Sequence, residues 1–318
     1  MEPLFLKPYF QEKIWGGTAL RDDFGFDIPS YHTGECWAIS AHPHGESIVE
    51  NGECKGMKLS DVWQQHPELF GNSQEPKFPL LTKILDAADD LSVQVHPDDA
   101  YALKHEGEPG KTECWYVIDA KPGSKIVFGH NARNDAEFQE MVAKNQWDQL
   151  LNEVEVHKGD FFYVPSGTIH GIGKGIVILE TQQSSDTTYR VYDYNRKDAN
   201  GNLRELHLEE AFKVATIPNI KPENDIKEVR HHHSTVTTFV KSDYFDVYKW
   251  NVDGKLELKA TAPYTLVTVL DGAGTLDDEG HTYELTKGMS FIIPEEIESW
   301  TLEGKFTAIA STPGLNNR

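Results

Sequence analysis

Basic residues are scarce in this 318-residue chain: 30 Lys and Arg stand against 51 Asp and Glu, a formal net charge of −21 with histidine neutral. Nucleic acid and anionic membranes both reward a basic face, so neither is an expected partner. Long apolar runs are missing too. Stretches such as Gly175 to Leu179 are strand-sized, far below the roughly 20 residues of a membrane helix. The N-terminal segment MEPLFLKPYFQEKIWGG lacks the basic-then-apolar order of a secretory signal, so a cytoplasmic location is expected. Only three cysteines occur (Cys36, Cys54, Cys114), widely spaced and outside any CxxC pattern, which predicts reduced thiols instead of a disulfide framework.

Helical periodicity is equally rare. It appears over Leu59 to Phe70, with Ser60 as a cap, over Asp135 to Leu151, and over Glu205 to Thr216 before Pro218. Elsewhere short alternating segments are punctuated by Gly, Pro, Asn and Asp, as in GECWAISAHPHG, LSVQVHP and KTECWYVIDAKPG. The pattern predicts an all-β, antiparallel protein with helical insertions. Hydrophobic residues at 38% and aromatics at 11% supply core material and exclude disorder. Length favours two modest domains. The polar stretch Pro218 to His233 reads as a connector, with residues 1–232 in one domain and 233–318 in the other. His231, His232 and His233 fall there; consecutive strand residues face opposite ways, so they read as exposed linker and not as a chelating tract.

An internal repeat supports that division. Gly159-Asp-Phe-Phe-Tyr-Val-Pro165 recurs as Gly288-Met-Ser-Phe-Ile-Ile-Pro294, each after a strand-like run ending in Asp119 or Asp271. The first copy continues as Gly159-x5-Pro165-x-Gly167-x2-His170, which resembles the second motif of the cupin superfamily. Two cupin-like barrels of the double-stranded β-helix (jelly-roll) type are therefore expected, and the resemblance implies metal ligands from an earlier strand pair. His96 and Glu113 lie there, and on extended strands Gln94 shares a face with His96, as Trp115 and Val117 do with Glu113. Two imidazoles and a carboxylate suit a divalent ion with an open position, and Gln94 adds an oxygen. In the second copy Glu296 replaces the motif glycine and Ser299 stands where His170 stands, so the C-terminal barrel is expected to hold no metal.

A closer resemblance follows from signatures in order along most of the first 195 residues: Trp15-Gly16-Gly17, Gly34-Glu35-x-Trp37, Pro79-Leu-Leu-x-Lys83, Gln94-x-His96-Pro97, Lys111-x-Glu113, Pro165-x-Gly167-x2-His170, Leu179-Glu180-x-Gln182 and Ser185-Asp186-x3-Arg190-x-Tyr192-Asp193. The chain resembles the type I mannose-6-phosphate isomerases (phosphomannose isomerases) of the shorter bacterial form. That resemblance implies interconversion of mannose 6-phosphate and fructose 6-phosphate through an enediol. It also implies one zinc ion per chain in the N-terminal barrel, bound by His96, Glu113 and His170 with Gln94 near it, and an active-site role for Arg190. Two family features are absent: the histidine before the lysine of Lys-x-Glu is Gly110 here, and the larger helical insertion of longer relatives is missing.

For proton transfer, Lys111 and Glu180 are preferred among the available groups, which also include Lys83 and Asp186. Arg190 is the best-matched cation for a phosphate that the overall charge repels, assisted by Lys83, Lys111 and Ser92. Asp186 and Trp15 complete the expected substrate-binding set, and Trp115, Tyr116 and Tyr192 are aromatic candidates for a sugar face. The competing readings are a metal-dependent cupin oxygenase and a non-catalytic phosphosugar-binding cupin.

Overall fold

The structure, a computed structural model, describes residues 2–315. Three antiparallel sheets account for most of it. A six-stranded sheet runs in the order Phe161–Val164, Glu113–Ala120, Ile176–Gln183, Leu80–Ala87, Thr33–Ile39, Tyr9–Gly17. A five-stranded sheet runs Leu151–Glu155, Lys125–His130, His170–Ile172, Val93–Val95, Tyr189–Tyr192. These two sheets close the N-terminal cupin barrel. The third, nine-stranded sheet includes Ser234–Lys241, Phe245–Lys259, Thr265–Asp278, Ser290–Ile293 and Ser299–Pro313, and forms the second barrel.

Strand alternation sorts side chains between layers. Along Ile176–Gln183, Ile176 and Ile178 enter the interior of the N-terminal barrel with Trp15, Leu85, Trp115 and Val117, while Leu179 points out. Outward residues of the six-stranded sheet (Leu80, Cys114, Tyr116, Leu179) pack on Phe239, Phe245, Leu266 and Ile292 of the second barrel in one shared core. The outer face of the five-stranded sheet is covered by the insertions: Val93, Val95 and Tyr189 meet Phe138, Val142 and Ala211. The glycines that begin both copies of the repeat sit in left-handed turns, with φ +95 at Gly159 and +91 at Gly288, a conformation that L side chains rarely adopt.

Several local expectations need correction. The first predicted helix is α-helical only over Leu59–Gln65 and continues as a 3-10 turn, Pro67–Phe70; Pro67 lacks the N–H that an α-helix would use. Ser60 lies inside the helix and donates to Glu46 instead of capping. The second divides into Asp135–Ala143 and Trp147–Leu150 at Asn145, whose φ is +53, and the third shrinks to Leu208–Val214. Helix Asp99–His105, capped by the Asp98 side chain, was not foreseen. Within the supposed connector, Lys227–His231 is an exposed strand paired with Ser234–Lys241, and His232 occupies the turn. The N-terminal strand Leu4–Lys7 also joins the nine-stranded sheet, beside Ser290–Ile293. Cys36, Cys54 and Cys114 are buried free thiols. Among the described residues no helix is long and apolar enough to cross a membrane.

Between the barrels, Trp63, Phe70 and Phe78 converge on Tyr264, with Phe70 edge-on to Tyr264 at 5.4 Å. Phe70→Ala should lower unfolding free energy by about 3–5 kcal/mol. Urea denaturation checks this, and a loss below about 1 kcal/mol would show that these rings do not lock the barrels together.

Candidate active site

The site arises from strand parity on two facing sheets. In the six-stranded sheet Glu180 lies opposite Lys83 on one neighbour and Trp115 on the other, while Gln182 pairs with Glu113. In the five-stranded sheet Gln94 lies opposite His170 and Arg190. Each set shares one face because cross-strand partners do. His96 follows Gln94 by two residues and keeps its direction.

His96, Glu113 and His170 each offer a donor atom, all within 4.8 Å of one another, and each side chain is about 1% exposed. His96 Nε2 is 3.4 Å from Glu113 Oε2, and His170 Nε2 is 3.4 Å from Glu113 Oε1. A tetrahedral cation with donors at about 2.1 Å separates adjacent donors by about 3.4 Å, so both His–Glu spacings fit. Orientation fits as well. His96 Nδ1 donates to Thr187 O at 2.9 Å and His170 Nδ1 to Thr168 O at 2.8 Å, which frees both Nε2 lone pairs for a metal. The three residues thus form a potential metal centre. The Gln94 amide lies beside it, its nitrogen 3.5 Å from His170 Nε2 and its oxygen accepting from Ser92 Oγ at 3.3 Å.

Charge around the centre alternates. Lys111 Nζ is bonded to Glu113, lies 3.2 Å from His96 Nε2 and stands 3.8 Å from Glu180 Oε1. Trp115 Nε1 donates to both carboxylates at 3.0 Å. Burial alone would raise the Glu113 pKa, but Lys111 and the imidazoles hold it well below the ordinary carboxylate range. Burial, then the Lys111 charge, pushes His96 down to about 3, and burial lowers His170. Lys111 moves the other way: burial opposes its charge, yet Glu113 and Glu180 outweigh it and raise the pKa. Glu180 is raised by burial and by the Glu113 charge.

These groups open onto a cavity of about 300 Å³. Ser92, Asp186, Arg190, Lys83 and Trp15 line it, as do Lys111 and Glu180. Trp15 is both wall and barrel core. His96 is in the metal group but is not a wall residue, since it sits behind Lys111. Of the aromatic candidates Trp15 and Trp115 reach the cavity, Trp115 from within the barrel core as expected by default, whereas Tyr116 points into the inter-barrel core and Tyr192 stacks on Trp147 at 4.3 Å outside the barrel.

Sequence reasoning missed four ionisable wall residues: Lys13, Glu35, Arg204 and His207. Glu35 was quoted within a motif, but its ion pairs to Lys83 at 3.6 Å and Lys13 at 3.5 Å depend on strand neighbours that no local pattern announces. Also missed was the clasp holding Asp186. Its carboxylate meets His44 Nδ1 at 3.0 Å, while Glu108 accepts from the Asp186 backbone at 3.2 Å and contacts His42 at 3.1 Å.

Residues 4–116 match the family model "Phosphomannose isomerase type I, catalytic domain", and residues 235–313 match "Mannose-6-phosphate isomerase, cupin domain". The chain is 55% identical to the mannose-6-phosphate isomerase of Streptococcus mutans over 98% of both chains. It is 51% identical to mannose-6-phosphate isomerase ManA of Bacillus subtilis, again over 98% of both. A crystal structure of a Bacillus subtilis mannose 6-phosphate isomerase superposes with a TM-score of 0.96 at 49% identity, covering 98% of this chain and all of that one.

His170→Ala and His96→Ala should each bring the metal content of the purified protein to near zero, read by elemental analysis after desalting. Metal content should also hold at about pH 6, where an ordinary histidine near 6.5 is largely protonated. The sign follows from the lowered pKa values: protons compete with metal only once pH falls toward the depressed folded values of His96, His170 and Glu113, so retention is lost on the acid side. Loss of metal between about pH 7 and 6 would contradict this.

Proposed function

The chain belongs to the type I mannose-6-phosphate isomerase family, and from that premise we propose that it interconverts mannose 6-phosphate and fructose 6-phosphate through an enediol. One observation carries the reading: a three-donor metal group, a Lys–Glu pair and a guanidinium line or abut a single cavity. We assign zinc as the metal, one ion per chain, because two neutral imidazoles and one carboxylate form a set typical of catalytic zinc, with Gln94 as an adjacent oxygen donor. Held by His96, Glu113 and His170, zinc would supply Lewis acidity toward the reacting sugar oxygens.

The chain's own residues perform the proton transfer. Glu180, its pKa raised and its carboxylate on the cavity wall, takes the proton from C2 and returns it to C1. Lys111, held protonated between Glu113 and Glu180, serves the oxygens: it gives a proton to O1 as the enediol forms and recovers one from the O2 hydroxyl as the C2 carbonyl forms. Arg190 engages the phosphate end. Lys83, Ser92 and Asp186 contact sugar hydroxyls, and Trp15 closes the apolar side of the cavity.

Residues 1–232 form the catalytic unit in this reading, and 233–318 a cupin unit that holds no metal. The substrate is a small phosphosugar, nucleic acid and membranes are not partners, and the setting is cytoplasmic mannose metabolism. Full-length relatives bearing the isomerase name favour this activity over an oxygenase or a silent sugar binder.

The deciding experiment is mannose 6-phosphate isomerisation with and without a chelator, run in deuterated water. Chelation should abolish turnover and added zinc should restore it, and NMR should show deuterium entering C1 or C2. Turnover with complete retention of the C2 proton in product would refute proton exchange through a solvent-accessible enediol. Glu180→Gln and Lys111→Met should each lower kcat by about 10²- to 10⁴-fold. Glu180→Gln should do so at unchanged zinc content, and wild-type kcat in that variant would remove Glu180 from the mechanism.

A further inference from the structure

Between strand Tyr189–Tyr192 and helix Leu208–Val214 the chain leaves the barrel and returns at its mouth. The returning segment carries Arg204 and His207, which no motif singled out, and both line the cavity beside Arg190. One buried carboxylate ties the excursion down. Asp193, 4% exposed, accepts from Arg196 Nη2 at 2.7 Å and from Arg204 Nε and Nη2 at 2.7 and 2.6 Å. This fork fixes the Arg204 plane and leaves its Nη1 donors for the cavity.

His207 is locked as firmly. Its backbone N–H donates to Arg190 O at 2.8 Å, and its Nδ1 accepts the Arg190 backbone N–H at 3.1 Å. An accepting Nδ1 places the ring proton on Nε2, so the neutral imidazole is a donor there. Arg190 spends one donor on Glu205 O at 3.3 Å and keeps the rest of its guanidinium. Burial and the Arg204 charge both disfavour the Arg190 cation, so two like charges share this end of the cavity. A dianion between them relieves that repulsion, and planar guanidinium donors match phosphate oxygens.

We propose that Arg204 and His207 join Arg190 as the subsite that grips the substrate's phosphate and sets its distance from the reacting carbons. The spacing is a consequence of the sheet. His170, Gln94 and Arg190 lie on three successive strands, so the Arg190 and His170 backbones stand about 10 Å apart, a span on the scale of a hexose with a phosphate on C6. The subsite rests on the isomerase reading above and deepens it by naming what distinguishes a phosphorylated sugar from a free one.

The test titrates inorganic phosphate into the intact protein by calorimetry, beside steady-state kinetics with mannose 6-phosphate. Arg204→Gln and His207→Ala should each weaken phosphate binding by about 10- to 100-fold and lower kcat/KM with mannose 6-phosphate by a similar factor, with metal content unchanged. Arg204→Lys, which keeps the charge, and His207→Gln, which keeps a donor, should each recover part of the loss. Should Arg204→Gln fail to show a wild-type melting transition, Arg204→Lys and the His207 pair decide the matter. Wild-type phosphate affinity in folded Arg204→Gln and His207→Ala would overturn the subsite. Phosphate binding that falls in these variants of a protein inactive on mannose 6-phosphate would support the subsite while refuting the isomerase reading.

Discussion

The buried negative charge of Glu113 is the constraint around which the N-terminal barrel is arranged. A carboxylate about 1% exposed is stable only when its charge and lone pairs are fully answered. Lys111 and Trp115 Nε1 answer it directly, and the two imidazoles bring a metal's donors to its other side. Lys111 then requires a second anion, which Glu180 provides. Farther along the wall Lys83 and Lys13 share Glu35. On the Glu113 side of the cavity each buried charge is compensated by the next, so Lys111, Glu113 and Glu180 act as a coupled set and not as independent pairs. That coupling places a carboxylate of raised pKa beside a cation of raised pKa, as proton transfer at one carbon and charge stabilisation at its oxygen require.

The net charge of −21 adds a second requirement. At long range the protein repels a phosphate dianion, and salt screens that repulsion over about 8–10 Å. Inside a narrow cavity, local donors dominate. Arg190, Arg204, Lys83 and Lys13 all face the same space, although basic residues are the minority type in this chain. Their convergence is informative because an acidic surface offers no general attraction for the substrate.

Much of this was legible in the sequence because strand parity is local. The alternation Gln94-x-His96 and Glu113-x-Trp115 assigns residues to the barrel interior without knowledge of which strands are neighbours, and the Gly-x5-Pro-x-Gly-x2-His motif places a turn and a potential metal donor together. The missed parts depend on long-range placement. Arg204 is a wall residue because Asp193, eleven residues earlier, draws its guanidinium back to the barrel mouth. His44 is relevant only because a short hairpin brings it to Asp186, 142 positions away. Helix ends were misjudged where one residue ended the periodicity: Pro67 by its missing N–H, Asn145 by its positive φ.

Alternation also explains why a barrel without proposed chemistry contributes to the site. Lys83, Glu113 and Glu180 face inward on three adjacent strands, and their outward neighbours include Leu80, Cys114 and Leu179. Those outward residues are packed on Phe239, Phe245 and Leu266 of the C-terminal barrel. A strand buried on both faces cannot shift register without exposing one apolar set and burying the other's polar partners. The second barrel therefore holds the cavity wall in register from behind. Strand Leu4–Lys7, laid onto the C-terminal sheet before the chain enters the first barrel at Tyr9, joins the two at the start of that wall. Loosening the shared core would lower more than stability, because displacement of the outer face carries Glu113 and Glu180 with it.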